Sequence, residues 1–261
     1  MNYILGAAGF IGSHLAKRIG HTPVPHTEIP DKNYKPFSSL FYLASYGNLN
    51  HQHGVPEIMK ANVRDVLSTL EKVIDTDFHS FTYLSTSSVK LKRQTTYSRA
   101  KRAIEEILLA HLEHYNKPIC IIRPFSVTGV GEQKEHLIPT LIRSCIEGEL
   151  IDFVEAPTHD FIDVEDLVDG ILNLSGNQAR GIFELGTGKS YTNKEVREIV
   201  EKVTGKKANV RIVSAMRDYD TDQWVSNNFR ARSWGWIPHK SLELSIAEMV
   251  QAYGSSKKKN T

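Results

Sequence analysis

Tyr97 and Lys101 stand four residues apart at the head of a long helical pattern, so on an α-helix both side chains leave from one face. A phenol beside an ammonium is one way to make a proton donor and acceptor usable near neutral pH. The positive charge favours phenolate and draws the tyrosine pKa below its ordinary value of about 10. The same spacing also describes an amphipathic helix with a boundary tyrosine and a solvated lysine. The pair gains meaning only from the elements that position it.

Those elements begin at the N-terminus. Residues 2–5 read as a short buried strand, Gly6-Ala7-Ala8-Gly9-Phe10-Ile11-Gly12 follows at once, and Ser13, Leu15, Ala16 and Ile19 have helical spacing. In a strand, glycine turn and helix, Gly6 permits the tight turn, Gly9 admits a pyrophosphate close to the backbone, and Gly12 lets helix and strand pack closely. Phosphates would then meet the helix N-terminus, whose free N–H groups and dipole favour anions. The spacing is G-x-x-G-x-x-G, and a purely structural glycine turn is the alternative. Further strands are expected at residues 22–28, 40–44, 81–84, 119–122, 181–185 and 209–213. Helices are expected at 62–74, 97–116, 136–146, 167–174, 193–203 and 241–253, the one at 193–203 opening on a capping box, Thr192-Asn193-Lys194-Glu195.

The 261 residues allow one large α/β domain, or a dinucleotide-type domain with a small substrate domain. With 32 basic and 30 acidic residues the net charge is +2, so no strong field points to nucleic acid or a membrane surface. The only basic run, 257–259, lies in a polar tail, 255–261, expected to be disordered. Cys120 and Cys145 sit in apolar runs and read as buried free thiols, which suits a reducing, cytoplasmic setting. No secretory leader and no bilayer-length apolar run is visible. His51 and His53, and His111 and His114, lack the further ligands a metal site needs, so no metal is expected.

Several motifs share one resemblance. Gly6 to Gly12 with Phe10-Ile11 resembles the fingerprint of the extended short-chain dehydrogenases/reductases, the NAD(P)-dependent nucleotide-sugar epimerase/dehydratase family. Phe41-Tyr42-Leu43-Ala44-Ser45 is similar to that family's H-L-A-A strand end, and Asn62-Val63 to its Asn-Val helix. Arg123-Pro124-Phe125-Ser126-Val127-Thr128-Gly129 is similar to R-P-F-N-V-Y-G, and residues 159–166 to R-D-F-I-H-V-D-D. Gly186-Thr187-Gly188, Arg217-Asp218-Tyr219-Asp220 and Trp234-Gly235-Trp236-Ile237-Pro238 resemble its later elements. The resemblance runs from Asn2 to Tyr253 with a gap near residue 30.

The resemblance implies an α/β fold, a Rossmann-type doubly wound parallel sheet with a small C-terminal substrate-binding region. The expected division is 1–147 for the core and 148–254 mainly for substrate. It implies a catalytic set of Thr86, Tyr97 and Lys101, with Thr86 preferred over Ser87 as the hydroxyl. It implies NAD or NADP held by Gly6, Gly9, Phe10, Ile11, Gly12, Leu43, Ala44, Ser45, Asn62, Tyr97, Lys101 and Pro124. Thr27 or Glu28 would lie near the ribose, and Glu28 leans the expectation to NAD. Ser87, Ser126 and Arg217 are expected on the substrate side, Arg217 as a clamp for a diphosphate. Too few residues separate 28 from 40 for the usual extra edge strand, so a trimmed sheet is expected. Ser87 and Ser88 replace the Asp-Glu of 4,6-dehydratases, which argues against dehydration. The expected function is a nucleotide-sugar epimerase working by transient hydride transfer. The alternatives are an NADPH-dependent ketosugar reductase and a non-catalytic NAD(P)-binding regulator. Relatives pair through helices corresponding to 62–74 and 97–116, which implies a homodimer.

Overall fold

The strand, turn and helix expected at the N-terminus are present: β1 (Asn2–Leu5) gives way to α1 (Phe10–Arg18) through the glycine turn. The structure is a computed structural model that describes residues 1–32, 34–35, 37–49, 51–214 and 224–258. There follow β2 (Thr22–Val24), β3 (Ser39–Tyr42), α2 (Val55–Met59), α3 (Asp65–Val73), β4 (Ser80–Leu84), α4 (Thr96–Tyr115) and β5 (Ile119–Pro124). The chain continues with β6 (Ser126–Thr128), α5 (Leu137–Glu147), β7 (Ile151–Phe153), β8 (Thr158–His159), β9 (Phe161–Asp163), α6 (Val164–Gly176) and β10 (Gly181–Leu185). It ends with β11 (Tyr191–Thr192), α7 (Asn193–Thr204), β12 (Val210–Ile212), α8 (Phe229–Ser233) and α9 (Leu242–Lys258).

Two compact units result. The first holds residues 1–124, 168–185 and 229–236, and the second holds 125–167, 186–228 and 237–261. The division therefore falls after Pro124, not near 147, and the chain returns to the first unit twice. β10 is the reason for the first return, because it completes the sheet beside β5.

The first unit is built on a six-stranded sheet, all parallel, in the order β10-β5-β4-β3-β1-β2. Its central strands are buried along their whole length, β4 as Ser-Phe-Thr-Tyr-Leu for example. That is what parallel strands covered on both faces require. β1 has β2 on one side and β3 on the other, so the strand order reverses there. Crevices at such switch points, outside the strands' C-terminal ends, are where ligands gather in open α/β sheets.

Among the described residues the sheet has no strand beyond β2, which is the trimmed edge expected. β2 is also shorter than expected, ending at Val24 and not at residue 28. Past Pro25 the backbone tightens into a 3-10 turn, His26–Asp31, with the Glu28 N–H donating to the Pro25 carbonyl at 2.9 Å. Ile29 of that turn is buried, and Tyr34 and Phe37 set their rings edge-on to Tyr3. Phe37 also stacks on Phe78. Apolar and aromatic packing thus takes the place of a crossover helix and strand at this edge.

In the second unit, α5, α7 and α9 bury Ile138, Leu141, Val196, Val200 and Ile246 in a separate core. Three short strand pairs, β6 with β9, β7 with β12 and β8 with β11, complete it. The capping box is present: Thr192 accepts from the Glu195 N–H, and Glu195 accepts from the Thr192 N–H. α9 runs to Lys258, so the tail does not fray from residue 255 as expected.

Candidate active site

The site is assembled in the first unit from the C-terminal ends of β1, β3 and β4 and the first turns of α1 and α4. Gly6 takes φ +93°, and a Cβ there would lie 2.7 Å from the Ala44 nitrogen. A Cβ on Gly12 would lie 2.0 Å from the Gly6 carbonyl oxygen. Both positions therefore need glycine for close backbone approach: the turn presses against the end of β3, and α1 presses against the turn. α1 begins at Gly9 with no side-chain cap and no acidic residue in its first turn. Its leading N–H groups and positive dipole end suit an anion, and the glycine cradle suits the pyrophosphate of a dinucleotide. Leu43, whose N–H donates to the Leu5 carbonyl at 2.9 Å, carries the backbone from the turn to Ala44 and Ser45.

Thr86 follows β4 and starts a 3-10 turn, Ser87–Lys90, accepting from the Ser88 N–H at 3.2 Å and pairing with the Ser88 hydroxyl at 3.0 Å. Gln94 then ties the loop back to the Val89 carbonyl at 2.7 Å. Thr95 caps α4 by accepting from the Ser98 N–H. This short, pinned loop carries Tyr97 back toward Thr86, and the hydroxyls of Thr86 and Ser45 both act on the Tyr97 phenol in favour of its ionised form. Ser45, expected at the cofactor, also brings its hydroxyl to the phenol. Gly47, which drew no notice in the sequence, has φ +107°, and its Cβ position is 3.4 Å from Tyr97 Cβ and 2.8 Å from Ile58 Cγ1. A side chain there would push the β3 loop off the tyrosine.

Lys101 is one turn further along α4 and only 1% exposed. Its ammonium donates to the Leu84 carbonyl at 2.9 Å and lies 4.7 Å from the Tyr83 ring centre and 5.9 Å from that of Tyr97. The expected tyrosine acidified by lysine is not what this geometry yields. Burial raises the Tyr97 pKa above its ordinary value, opposed by the hydrogen bonds from Ser45 and Thr86. Burial lowers Lys101 to about 7, opposed by the charge of Glu105. Desolvation disfavours the charged form of each group, and here it outweighs their mutual attraction.

The remaining expected residues are placed as follows. Asn62 is fully buried in a π-helical turn, Lys60–Arg64, and its amide donates to the carbonyls of Tyr46 and Ile58 at 2.6 and 2.9 Å, fastening the loop after β3. Its side-chain oxygen has no partner. Pro124 ends β5 and is buried. Thr27 and Glu28 are exposed in the 3-10 turn beyond β2. Ser87, expected on the substrate side, is 5% exposed because the 3-10 turn directs it inward, leaving Thr86 and Ser88 as the more accessible hydroxyls. Ser126 belongs to the second unit, where its hydroxyl is 3.4 Å from His159 Nδ1. Arg217 lies outside the described residues. His51 and His53 are exposed, and no helix among the described residues is long and apolar enough to cross a membrane.

Comparisons with known proteins bear on the fold and the family. The chain is 29% identical over 162 residues to the CDP-abequose synthase of Salmonella muenchen, a match covering 59% of this chain and 55% of that one. It is 28% identical over 189 residues to the UDP-glucose 4-epimerase of Lactobacillus helveticus, covering 62% and 56%. The matches thus span little more than half the length of these relatives. Among solved structures, the UDP-glucose 4-epimerase of Thermotoga maritima with UDP-glucose superposes with a TM-score of 0.88 at 20% identity, over 98% of this chain and all of that one. MoeE5 in complex with UDP-glucose and NAD gives 0.84 at 23% identity over 98% and 99%. At these identities the structures show the shared fold. Residues 37–186 match the model of the NAD dependent epimerase/dehydratase family, and this protein belongs to that family.

Proposed function

We propose that the protein is an NAD(P)-dependent nucleotide-sugar epimerase in which Tyr97, Thr86 and Lys101 handle the proton of a sugar hydroxyl. The observation that supports this is the Tyr97 phenol, acted on by the hydroxyls of Thr86 and Ser45, with the buried Lys101 ammonium 5.9 Å from its ring centre. NAD(P), when bound, supplies the hydride acceptor and donor. Gly6, Gly9 and Gly12, with the first turn of α1, would hold its pyrophosphate, and residues 43–45 would border it. Thr86 positions the sugar hydroxyl by hydrogen bonding. Tyr97 takes the hydroxyl proton as the carbon is oxidised and returns it on reduction. Lys101 supplies the positive charge that a phenolate needs in a dry site. Ser87 and Ser88 offer no carboxyl group beside Thr86, which supports epimerisation over loss of water. Pairing of two copies through α3 and α4 belongs to the same reading.

Incubation with UDP-glucose and other nucleotide sugars, followed by separation of epimers, tests the proposal. An epimer formed without net change in absorbance at the reduced-nicotinamide band is the expected result. Steady consumption of added NADPH would replace the epimerase with a ketosugar reductase. Tight cofactor binding with no turnover of any nucleotide sugar would point to a regulator that kept the fold.

A further inference from the structure

Beneath the Tyr97–Lys101 pair lies a buried cluster with no part in the chemistry assigned so far. Glu105, one helical turn past Lys101, is fully buried. Its carboxylate accepts the Ser85 hydroxyl at 2.5 Å and two bonds from Arg123, from Nε at 2.9 Å and from Nη2 at 2.5 Å. Ser85 directly follows Leu84, whose carbonyl holds the Lys101 ammonium. One side of the cluster therefore touches the residue next to the lysine's own acceptor, and the other is a forked arginine grip from β5.

We propose that Glu105 is a positioning residue. Its carboxylate offsets part of the cost of burying the Lys101 charge, and Ser85 and Arg123 hold that carboxylate in the place where it can do so. The proposal rests on the reading of Tyr97 and Lys101 as the proton-handling pair. Other charged groups on the elements packed against this part of α4 are accounted for. Lys60 pairs with Asp65, and Lys90 with Glu184. Glu57 and Arg64 lie on the α2–α3 segment, and Tyr83 presents its ring face to the ammonium. Among the described residues, Glu105 is the group whose charge opposes the burial of Lys101. A net charge balance follows: Arg123 neutralises much of Glu105, so Lys101 is supported without being locked into an ion pair. An ammonium held this way can still respond to charge arriving at Tyr97.

The test is a pH titration of the Lys101 side-chain nitrogen by NMR, on the full chain without substrate. In the parent protein the midpoint is expected at about 7. In Glu105→Gln it should fall by about one unit or more, at least a tenfold loss of proton affinity, the lower end of what one nearby opposite charge does. The sign discriminates, because damage that admitted water would move the midpoint upward, toward an ordinary lysine. An unchanged or raised midpoint in a folded Glu105→Gln protein overturns the proposal. If Glu105→Gln does not fold, the double variant Glu105→Met with Arg123→Met removes the whole buried pair without leaving a lone charge. It should fold and still show a lowered midpoint, and an unlowered one overturns the proposal. A lowered midpoint in a protein that turns over no nucleotide sugar would leave this inference standing and remove the epimerase reading.

Discussion

Two buried charges in this molecule are treated in opposite ways. Asp160, at the end of β8 in the second unit, is fully buried and accepts five hydrogen bonds: from the N–H and hydroxyl of Thr187, the N–H of Gly188, and the N–H and hydroxyl of Ser226. It joins three distant segments, and Gly186 is needed beside it because a Cβ there would lie 2.6 Å from its carboxylate. Lys101, in the first unit, is as deeply buried, yet among the described residues its ammonium has one hydrogen-bond acceptor, the Leu84 carbonyl. A carboxylate whose oxygens are saturated with donors ties segments together, and it serves as a knot. A thinly compensated ammonium loses proton affinity on burial, and its charge can be set by what approaches it. Burial alone therefore does not mark a functional charge; incomplete compensation does.

That contrast can be broken at several points. Tyr97→Phe removes the proton carrier, with its contacts to Thr86 and Ser45, and keeps the ring. Turnover should fall about 10³-fold, within the range for loss of a general acid–base, while cofactor binding and the thermal midpoint stay close to the parent. Undiminished turnover would end the assignment of Tyr97. Asp160→Asn should do the reverse in kind: a loss of about 3 kcal/mol in denaturant-derived stability, because several buried donors lose their anion. A loss well below about 1 kcal/mol would show that the knot is ornamental.

Lys101→Met should abolish turnover and yet stabilise the fold by about 1–2 kcal/mol at pH 7, since an undercompensated buried charge is replaced by an apolar chain of similar length. The pH dependence has a definite sign. Folding lowers the lysine pKa from 10.5 to about 7, so between those values the unfolded chain binds a proton that the folded chain does not. Parent stability from this group rises with pH across that window, so the advantage of Lys101→Met over the parent shrinks and then reverses from pH 7 toward pH 10. Denaturation curves at pH 7 and 9.5 check it, and a constant gap would mean that Lys101 is not desolvated as described. The smallest effect is expected for Ser45→Ala. Losing the hydroxyl that favours the phenolate, an effect of about 1 kcal/mol, should slow turnover about fivefold without changing stability, because Ser45 is exposed.

Much of the site was legible in the residues. The glycine spacing and the apolar run before it located the turn, since few backbones other than a close strand–helix crossing need glycine at both Gly6 and Gly12. The prolines and short span between residues 28 and 40 announced the trimmed edge. Thr86 was placed by the resemblance of residues 85–89 to the family's strand end. Other features were hidden for physical reasons. The Ser45 hydroxyl meets Tyr97 through strands adjacent in space and far apart in sequence. The ends of β2 and of residues 255–258 depend on local backbone competition that composition resolves poorly. The division after Pro124 depends on β10 returning to pair with β5, a contact between residues some sixty apart. Glu105 did leave a signal, a second step of four residues beyond Lys101 on the same helical face, but the spacing says nothing of Arg123 and Ser85.

The sequence by itself determined the strands and helices of the sheet-bearing core, the glycine cradle and the Tyr97–Lys101 spacing, because helical and strand periodicity and the missing Cβ of glycine act over a few residues. The tertiary structure decided the protonation of that pair. A pKa depends on how completely a group is desolvated and which charges reach it, and both are set by strands and helices brought together across the fold. On the helix alone, Lys101 would acidify Tyr97; in the packed first unit burial outweighs it, and Ser45, Thr86 and Glu105 oppose that burial.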